Sequence, residues 1–199
     1  MRVSRPEAFA AAARLAGGGS SDFDLNPGVV PPPDRVLRQA GVLVACLDTA
    51  DGPRVVLTKR ASHLKHHPGQ IAFPGGKVEP VDDGPVGAAL REAEEEIALP
   101  RGQVEVLGTL PVHETVTNFV VTPVLGWVSG RFDPIPEAGE VEEVFTVPLS
   151  FLADPSNYSV QSRLWRGQRR RYYVVPWGPY YIWGATARIL RGLAERLRA

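Results

Sequence analysis

The chain is poor in cysteine and has no excess charge of either sign. One cysteine, Cys46, stands among 199 residues, which excludes an intramolecular disulfide and a Cys-rich zinc centre. Its setting, VLVACL, is that of a buried core thiol rather than a nucleophile. Lys plus Arg and Asp plus Glu both number 22, a formal net charge of +0, so no global field draws the chain to nucleic acid or an anionic membrane. No run reaches the roughly 18 apolar residues of a membrane-crossing helix. The N-terminal alanine run is interrupted by Glu7 and Arg14 and lacks a signal-peptide core. These absences lead us to expect a cytoplasmic protein without membrane or nucleic-acid partners; they leave a homodimer open.

What is present suits an ordinary globule, with 44% hydrophobic and 22% charged residues. Pro6 to Leu15 reads as a short amphipathic helix. GGGSS breaks it, and PGVVPPP forms an extended connector. We therefore expect an N-terminal helix and Pro/Gly-rich extension over 1–37 and the main domain over 38–199. QAGVLVACL and RVVLTKR read as strands around a turn at TADGP, and QIAFPGG as a short strand entering a glycine turn. Pro85 to Ile97 carries the apolar stripe Val86, Ala89, Leu90, Ala93 and Ile97 of a helix. Further strands are expected at QVEVLGTLPV, FVVTPVLGWV and EVFTVPL, then a turn or short helix near Leu149–Ala153. A strand pair near Tyr158–Trp165 and Arg170–Val175 and a C-terminal helix from Tyr181 to Leu197 complete the chain. Strands alternating with two main helices predict a mixed sheet covered on both faces, an α/β sandwich.

The Pro85–Ile97 helix concentrates negative charge: Glu92, Glu94, Glu95 and Glu96 lie within five residues. Positions three and four apart share a helix face, so the carboxylates of Glu92, Glu95 and Glu96 converge. Such convergence needs a countercharge. Arg91 stands four residues before Glu95 and can hold it in a fork-like pair. Hard carboxylate oxygens otherwise suit Mg2+ or Mn2+. Glu94 points away, toward solvent.

The stretch Gly76 to Leu99 resembles the signature box of Nudix hydrolases: a glycine, a spacer with one acid, then Arg-Glu, an aliphatic position and a glutamate pair. Gly76, Arg91, Glu92, Glu95, Glu96 and Leu99 fit it, with Ala93 in the aliphatic position. The loop departs by one residue. Five residues separate Gly76 from Asp82 and eight separate Asp82 from Arg91; a spacer of seven before Arg91 points to Asp83 instead. Asp82 and Asp83 are thus alternatives for the loop acid. Ala98 stands where the box has glycine. The resemblance implies a Nudix-like α/β/α sandwich with a mixed central sheet. It also implies metal-dependent cleavage of a nucleoside diphosphate linkage, with Glu92 and Glu96 as metal ligands. Glu95 is either a third ligand or positioned by Arg91, and the same resemblance implies the Gly75 carbonyl as a backbone ligand.

Upstream, VLTKRASHLKHHPGQIAFPGG is rich in cations and imidazoles. It resembles the motif of the coenzyme A pyrophosphatase branch of that family. Leu57, Thr58, Arg60, Ala61, Gly69, Phe73, Pro74, Gly75 and Gly76 match in register, and Lys65 replaces an arginine. The segments VTPVLGWV, EVEEVFTVPLSFL and YYIWGATARIL also look like this branch. The implied reaction is hydrolysis of coenzyme A (CoA) to adenosine 3′,5′-bisphosphate and 4′-phosphopantetheine. Lys59, Arg60, His63, Lys65, His66 and Phe73 are its implied substrate contacts. The alternatives are a Nudix pyrophosphatase for NADH, ADP-ribose or capped RNA, and a non-catalytic ligand sensor. In PEAGEVEEVF, Glu140 is the first candidate for the base that activates water and Glu143 the second. His113 and Glu114 are candidates to line the cleft. RLWRGQRRRYYVV interleaves arginines and aromatics, as single-stranded nucleic-acid binders do, but also reads as a hairpin tip with solvated arginines.

Overall fold

A computed structural model describes residues 6–165 and 167–199. The chain begins with helix α1 (Pro6–Arg14) and strand β1 (Ser20–Ser21), then β2 (Arg38–Leu47), β3 (Arg54–Arg60), β4 (Ile71–Ala72) and β5 (Gly75–Lys77). Helix α2 (Gly84–Ile97) precedes β6 (Val104–Thr109), β7 (His113–Glu114), β8 (Phe119–Val128) and β9 (Val141–Pro148). Helix α3 (Leu149–Leu152), β10 (Ser159–Trp165), β11 (Gln168–Trp177), β12 (Tyr180–Trp183) and α4 (Ala185–Arg196) close the chain.

The spine is the parallel pair β2–β8, in register from Arg38↔Phe119 to Leu47↔Val128. Parallel strands require a long crossover, and α2 lies within it. The mixed sheet runs β1-β7-β8-β2-β3-β4, with β5 added to β2, β6 to β8 and β9 to β3. The free edge of β2 is shared. Near its end it pairs with β3, at Cys46↔Val55 and Leu47↔Arg54. Near its start it pairs with β5, from Ala40↔Lys77 to Val42↔Gly75. The sheet therefore parts between β3 and β5, and the Gly75–Gly76 backbone occupies the parting.

Strand alternation sorts the core into two layers. Leu43, Ala45, Val124 and Val128 face α2 and pack on Ala89, Ala93 and Ile97. Val44, Cys46, Leu125 and Trp127 face the other way and share a larger core with Phe9 of α1 and Ile189, Leu190 and Leu193 of α4. Phe9 is fully buried and meets Trp127 edge-on at 6.4 Å. The architecture is the mixed-sheet α/β sandwich expected, with one addition: a separate antiparallel sheet, β10-β11-β12, on the α4 side.

That sheet corrects the C-terminal helix expected from Tyr181. Tyr180–Trp183 is a strand paired with β11 from Val174↔Trp183 to Trp177↔Tyr180. Helix begins only after Gly184, whose φ of 67° is accessible to glycine at little cost. The β-prone aromatic run prevails over the helical spacing there. Helix α2 ends as a left-handed cap. Ala98 has φ 58°, its N–H donates to the Glu94 carbonyl, and the Leu99 N–H donates to the Ala93 carbonyl. The alanine thus adopts the conformation for which glycine is usual. No helix among the described residues is long and apolar enough to cross a membrane.

Candidate active site

The site forms where α2 passes under the parting. Gly41, Gly75 and Gly76 let three backbones meet. A Cβ on Gly41 would strike the Pro85 carbonyl, and one on Gly75 would strike Gly41 and the Val42 backbone. A Cβ on Gly76 would overlap the Glu92 carboxylate itself. Glu92 is thereby held directly against the glycine turn, and Glu96, one helical turn on, accepts a hydrogen bond from the Gly75 N–H at 3.1 Å.

Arg91 organises the acids around it. Its Nε and Nη2 donate to the two oxygens of Asp82 at 2.9 and 3.0 Å. Its Nη1 donates to Glu92 at 3.0 Å and to Glu95 at 2.9 Å, and Nη2 also reaches the Lys77 carbonyl at 3.3 Å. The loop acid held by this fork is Asp82, which closes its own turn by accepting from the Glu79 N–H at 2.8 Å. Both bonds hold the Asp82 carboxyl below its usual range, the Arg91 one foremost. Asp83 caps nothing with its side chain.

Glu96 is only 6% exposed. Burial pushes it up to about 8; the Glu92 and Glu140 charges add to this, while the Gly75 N–H and Arg60 oppose it. Glu92 is raised as well, by burial first, with Arg91 opposing. Glu140 reaches this neighbourhood because its loop is tied to the end of α2. The Ile135 and Glu137 N–H groups donate to the Ile97 and Glu96 carbonyls at 3.1 and 2.9 Å, satisfying acceptors that a helix end leaves open. Glu140 itself lies in the turn before β9 and is exposed, so simple strand alternation does not place it.

The expected ligand set is not assembled into a cage. Among the described residues, no group of three or more His, Cys, Asp and Glu side chains is arranged to hold a metal ion. Glu92 and Glu95 turn to Arg91, and Glu95 is mostly exposed. Glu96 differs: among the described residues its buried carboxylate has no ion pair and accepts only from the Gly75 N–H. A desolvated oxygen donor without an ion pair fits a hard divalent ion.

The basic segment divides. Arg60, at the end of β3, acts electrostatically on Glu96. His63, Lys65 and His66 lie exposed in the loop after it. Lys59 departs from the expected role of a free substrate cation: it donates to Glu142 at 2.6 Å, and Ser62 donates to the same carboxylate through its N–H and hydroxyl. The cause is a bulge. Lys59 pairs with Glu143 and Arg60 with Val141, so Glu142 is the extra residue and swings out over Lys59. Phe73 also departs, because its ring is 4% exposed and belongs to the larger core. It braces the strand instead of offering a face to a ligand.

His113 and Glu114 do not line this site. His113 is fully buried between Ser20 Oγ at 2.9 Å and Asp22 Oδ1 at 3.2 Å, and Glu114 pairs with Arg35; both fasten the N-terminal segment. Glu143 accepts from the Tyr180 hydroxyl, whose ring stacks on Phe145 at 3.6 Å. The sequence reading missed this contact, since its partners lie 37 positions apart and meet only across the two sheets.

Comparison with known proteins agrees with this arrangement. A family model described as NUDIX domain matches residues 37–165. Among curated proteins, "Uncharacterized Nudix hydrolase NudL" of Enterobacter sp. (strain 638) is 44% identical over 160 residues, covering 80% of this chain and 83% of the relative. Its namesake from Salmonella newport (strain SL254) is 42% identical over the same length. Among solved structures, a MutT/nudix family protein from Enterococcus faecalis shares the fold at TM-score 0.54 and 16% identity, over 100% of this chain and 76% of its own. A Nudix hydrolase from M. smegmatis, RenU, does so at TM-score 0.50 and 23% identity, over 60% of this chain and 76% of its own. With its box of Gly76, Arg91, Glu92, Glu95 and Glu96 on the turn and helix that the family model covers, the chain belongs to the NUDIX-domain family.

Proposed function

We propose that the chain is a divalent-cation-dependent Nudix hydrolase that cleaves the pyrophosphate bond of coenzyme A or a CoA derivative. The reading rests on one juxtaposition. A buried carboxylate with no ion pair among the described residues, Glu96, stands beside Glu92 under the glycine turn, and the basic segment from Arg60 to His66 opens next to it. Glu92 and Glu96 would hold Mg2+ or Mn2+, with Glu95 and the Gly75 carbonyl as further donors. Bound ions would neutralise phosphate oxygens and acidify the attacking water.

The remaining steps belong to the chain. Arg91 pins Asp82 and Glu95, so the loop and helix keep their spacing. Glu140 takes a proton as the water oxygen bonds to phosphorus and the bridging P–O bond breaks. Arg60, Lys65, His63 and His66 meet the further phosphates of the substrate, including a 3′-phosphate, and Lys59 steadies Glu142 and Ser62 at the mouth of that loop. Incubation with CoA and Mg2+ or Mn2+ should yield adenosine 3′,5′-bisphosphate and 4′-phosphopantetheine, resolved by mass spectrometry. Cleavage of NADH, ADP-ribose or capped RNA with CoA left intact would sink the CoA assignment. A non-catalytic sensor is disfavoured by the retention of Glu92, Glu95 and Glu96. Glu92→Gln separates the two, since it should abolish turnover in a hydrolase and leave only ligand binding to measure in a sensor.

A further inference from the structure

We propose that Ser20 is a second nucleophile, separate from the carboxylate site, that accepts an acyl group from a thioester or another activated ester. The segment that carries it is GGGSSD, Gly17 to Asp22. A Cβ on Gly19 would stand 2.8 Å from the Val112 carbonyl oxygen, so a side chain there would hold β1 off β7. With glycine the two strands pair in parallel, Ser20 opposite His113. The Ser20 and Asp22 N–H groups donate to the Val112 and Glu114 carbonyls, both at 2.9 Å.

Ser20 and Asp22 then reach the two nitrogens of one imidazole. Ser20 Oγ lies 2.9 Å from His113 Nδ1, and Asp22 Oδ1 lies 3.2 Å from Nε2. The other Asp22 oxygen accepts from the Val116 N–H at 3.0 Å. Chemistry fixes the direction of this chain. A carboxylate only accepts, so Nε2 carries the proton. In the neutral ring Nδ1 is then an acceptor, and the Ser20 hydroxyl donates to it. A hydroxyl donating to an imidazole that an aspartate orients is the arrangement that activates serine for acyl transfer. Fastening the N-terminal segment requires neither that polarity nor a serine on a cavity wall.

Ser20 lines a cavity of about 360 Å³, within the size range of small-molecule sites. Gly17 and Gly18 leave its approach without side chains, and Leu110, Pro123 and Ile189 give it apolar walls. Ser20 is partly exposed, whereas His113 is fully buried, and that difference selects the substrate. The Ser20 oxygen bonds to the carbonyl carbon, and its proton passes to Nδ1, leaving an imidazolium against the Asp22 carboxylate. The bond from that carbon to sulfur, or to an aryl oxygen, breaks, and the leaving group departs with the electron pair. A thiolate or an aryl oxide does so unaided; an alkoxide would need a proton from the buried ring. Hydrolysis of the acyl-serine would need water beside that same ring, so the acyl group stays on Ser20 and the reaction is a burst.

The test is labelling of the full chain with a fluorophosphonate, and reaction with p-nitrophenyl butyrate followed by nitrophenolate release. Peptide mass mapping should place the fluorophosphonate on Ser20, and nitrophenolate should appear as a burst of about one equivalent. Ser20→Ala should abolish both. Asp22→Asn reverses the chain without removing it. Its carbonyl oxygen can still accept from Val116 while its amide donates to Nε2, which moves the proton to Nδ1 and takes the base away from Ser20. The melt should hold while the labelling rate falls about 100-fold or more. CoA hydrolysis should be unchanged in both variants. Neither probe contains a pyrophosphate, so the result is independent of which nucleotide the carboxylate site cleaves. No adduct on Ser20, an adduct only after denaturation, or equally fast labelling of folded Asp22→Asn protein would each overturn the proposal. Loss of CoA hydrolysis in step with labelling would overturn the separation of the two sites.

Discussion

Replacing Gly76 by alanine separates geometry at the carboxylates from stability of the fold. The added Cβ would overlap Oε1 and Cδ of Glu92 and stand 3.0 Å from Oε2. No other atom comes nearer than 3.0 Å, and Gly76 is not among the residues with positive φ, so the backbone accepts alanine. The glutamate carboxylate, at the far end of a flexible side chain, must therefore swing aside by about 1 Å. A displacement of that size at a reacting centre costs about 100-fold in turnover. Stability should barely change, because the lower entropy of the unfolded alanine chain contributes about 0.4–1 kcal/mol against the cost of turning one side chain. The control is Gly75→Ala, where φ is 155° and the obstacles include the Gly41 carbonyl and Val42 Cα. Backbone cannot step aside, so this variant should unfold at lower temperature or fail to accumulate. Steady-state CoA hydrolysis with Mg2+ beside a thermal melt reads both. Wild-type kcat in a folded Gly76→Ala protein would refute the placement of Glu92 at the chemistry.

Other perturbations test neighbouring parts. Arg91→Lys keeps the charge but loses the fork that grips both oxygens of Asp82, so kcat should fall while the protein stays folded; unchanged kcat would remove Arg91 as the organiser. Ala98→Gly relieves a left-handed alanine and should stabilise the chain by about 1 kcal/mol, raising Tm by about 2–4 °C; a lower Tm would contradict the cap geometry. In metal-free protein, Glu96 stays protonated up to about 8, whereas the unfolded chain ionises near its ordinary value. The Glu96 contribution to stability should therefore decline as pH rises through that window. Glu96→Gln should flatten that decline in melts with EDTA; parallel profiles would refute it. Cys46 is fully buried, and burial, with Asp48 nearby, pushes its thiol up to about 12. Ellman's reagent should therefore leave it unlabelled until the protein is denatured, and rapid native labelling would refute the burial.

The strands and α2 were legible because each carries its own period. In β2 the alternation sends Leu43 and Ala45 to one layer and Val44 and Cys46 to the other, and the i, i+3, i+4 stripe of α2 faces the first. Legibility failed where two periods overlapped. Ile182, Ala185 and Ile189 fit a helical spacing, so the aromatic strand β12 was absorbed into α4. The divider is the conformation of Gly184 and the pairing with β11, and neither is a property of the local sequence. The parting of the sheet was equally hidden, because it follows from β2 dividing one edge between β3 and β5.

At the site, residue types were readable and partnerships were not. The run REAEEE announced a cluster of carboxylates, and the helical period put Glu92 and Glu96 on one face. Counting could not choose between Asp82 and Asp83, because a loop with one residue to spare can place it on either side of the acid. The Arg91 fork makes that choice in three dimensions. The same holds for Lys59 and Glu142. Lys59 looked available to a substrate, but a bulge at Lys59/Arg60 turns the extra glutamate onto it. Arg91 shows why such pairing matters for function. It binds Asp82, Glu92 and Glu95 at once, whereas Glu96, buried and one turn beyond its reach, has no ion pair among the described residues. The arginine thus engages one oxygen each of Glu92 and Glu95, and leaves their second oxygens and the whole Glu96 carboxylate for a divalent ion to satisfy.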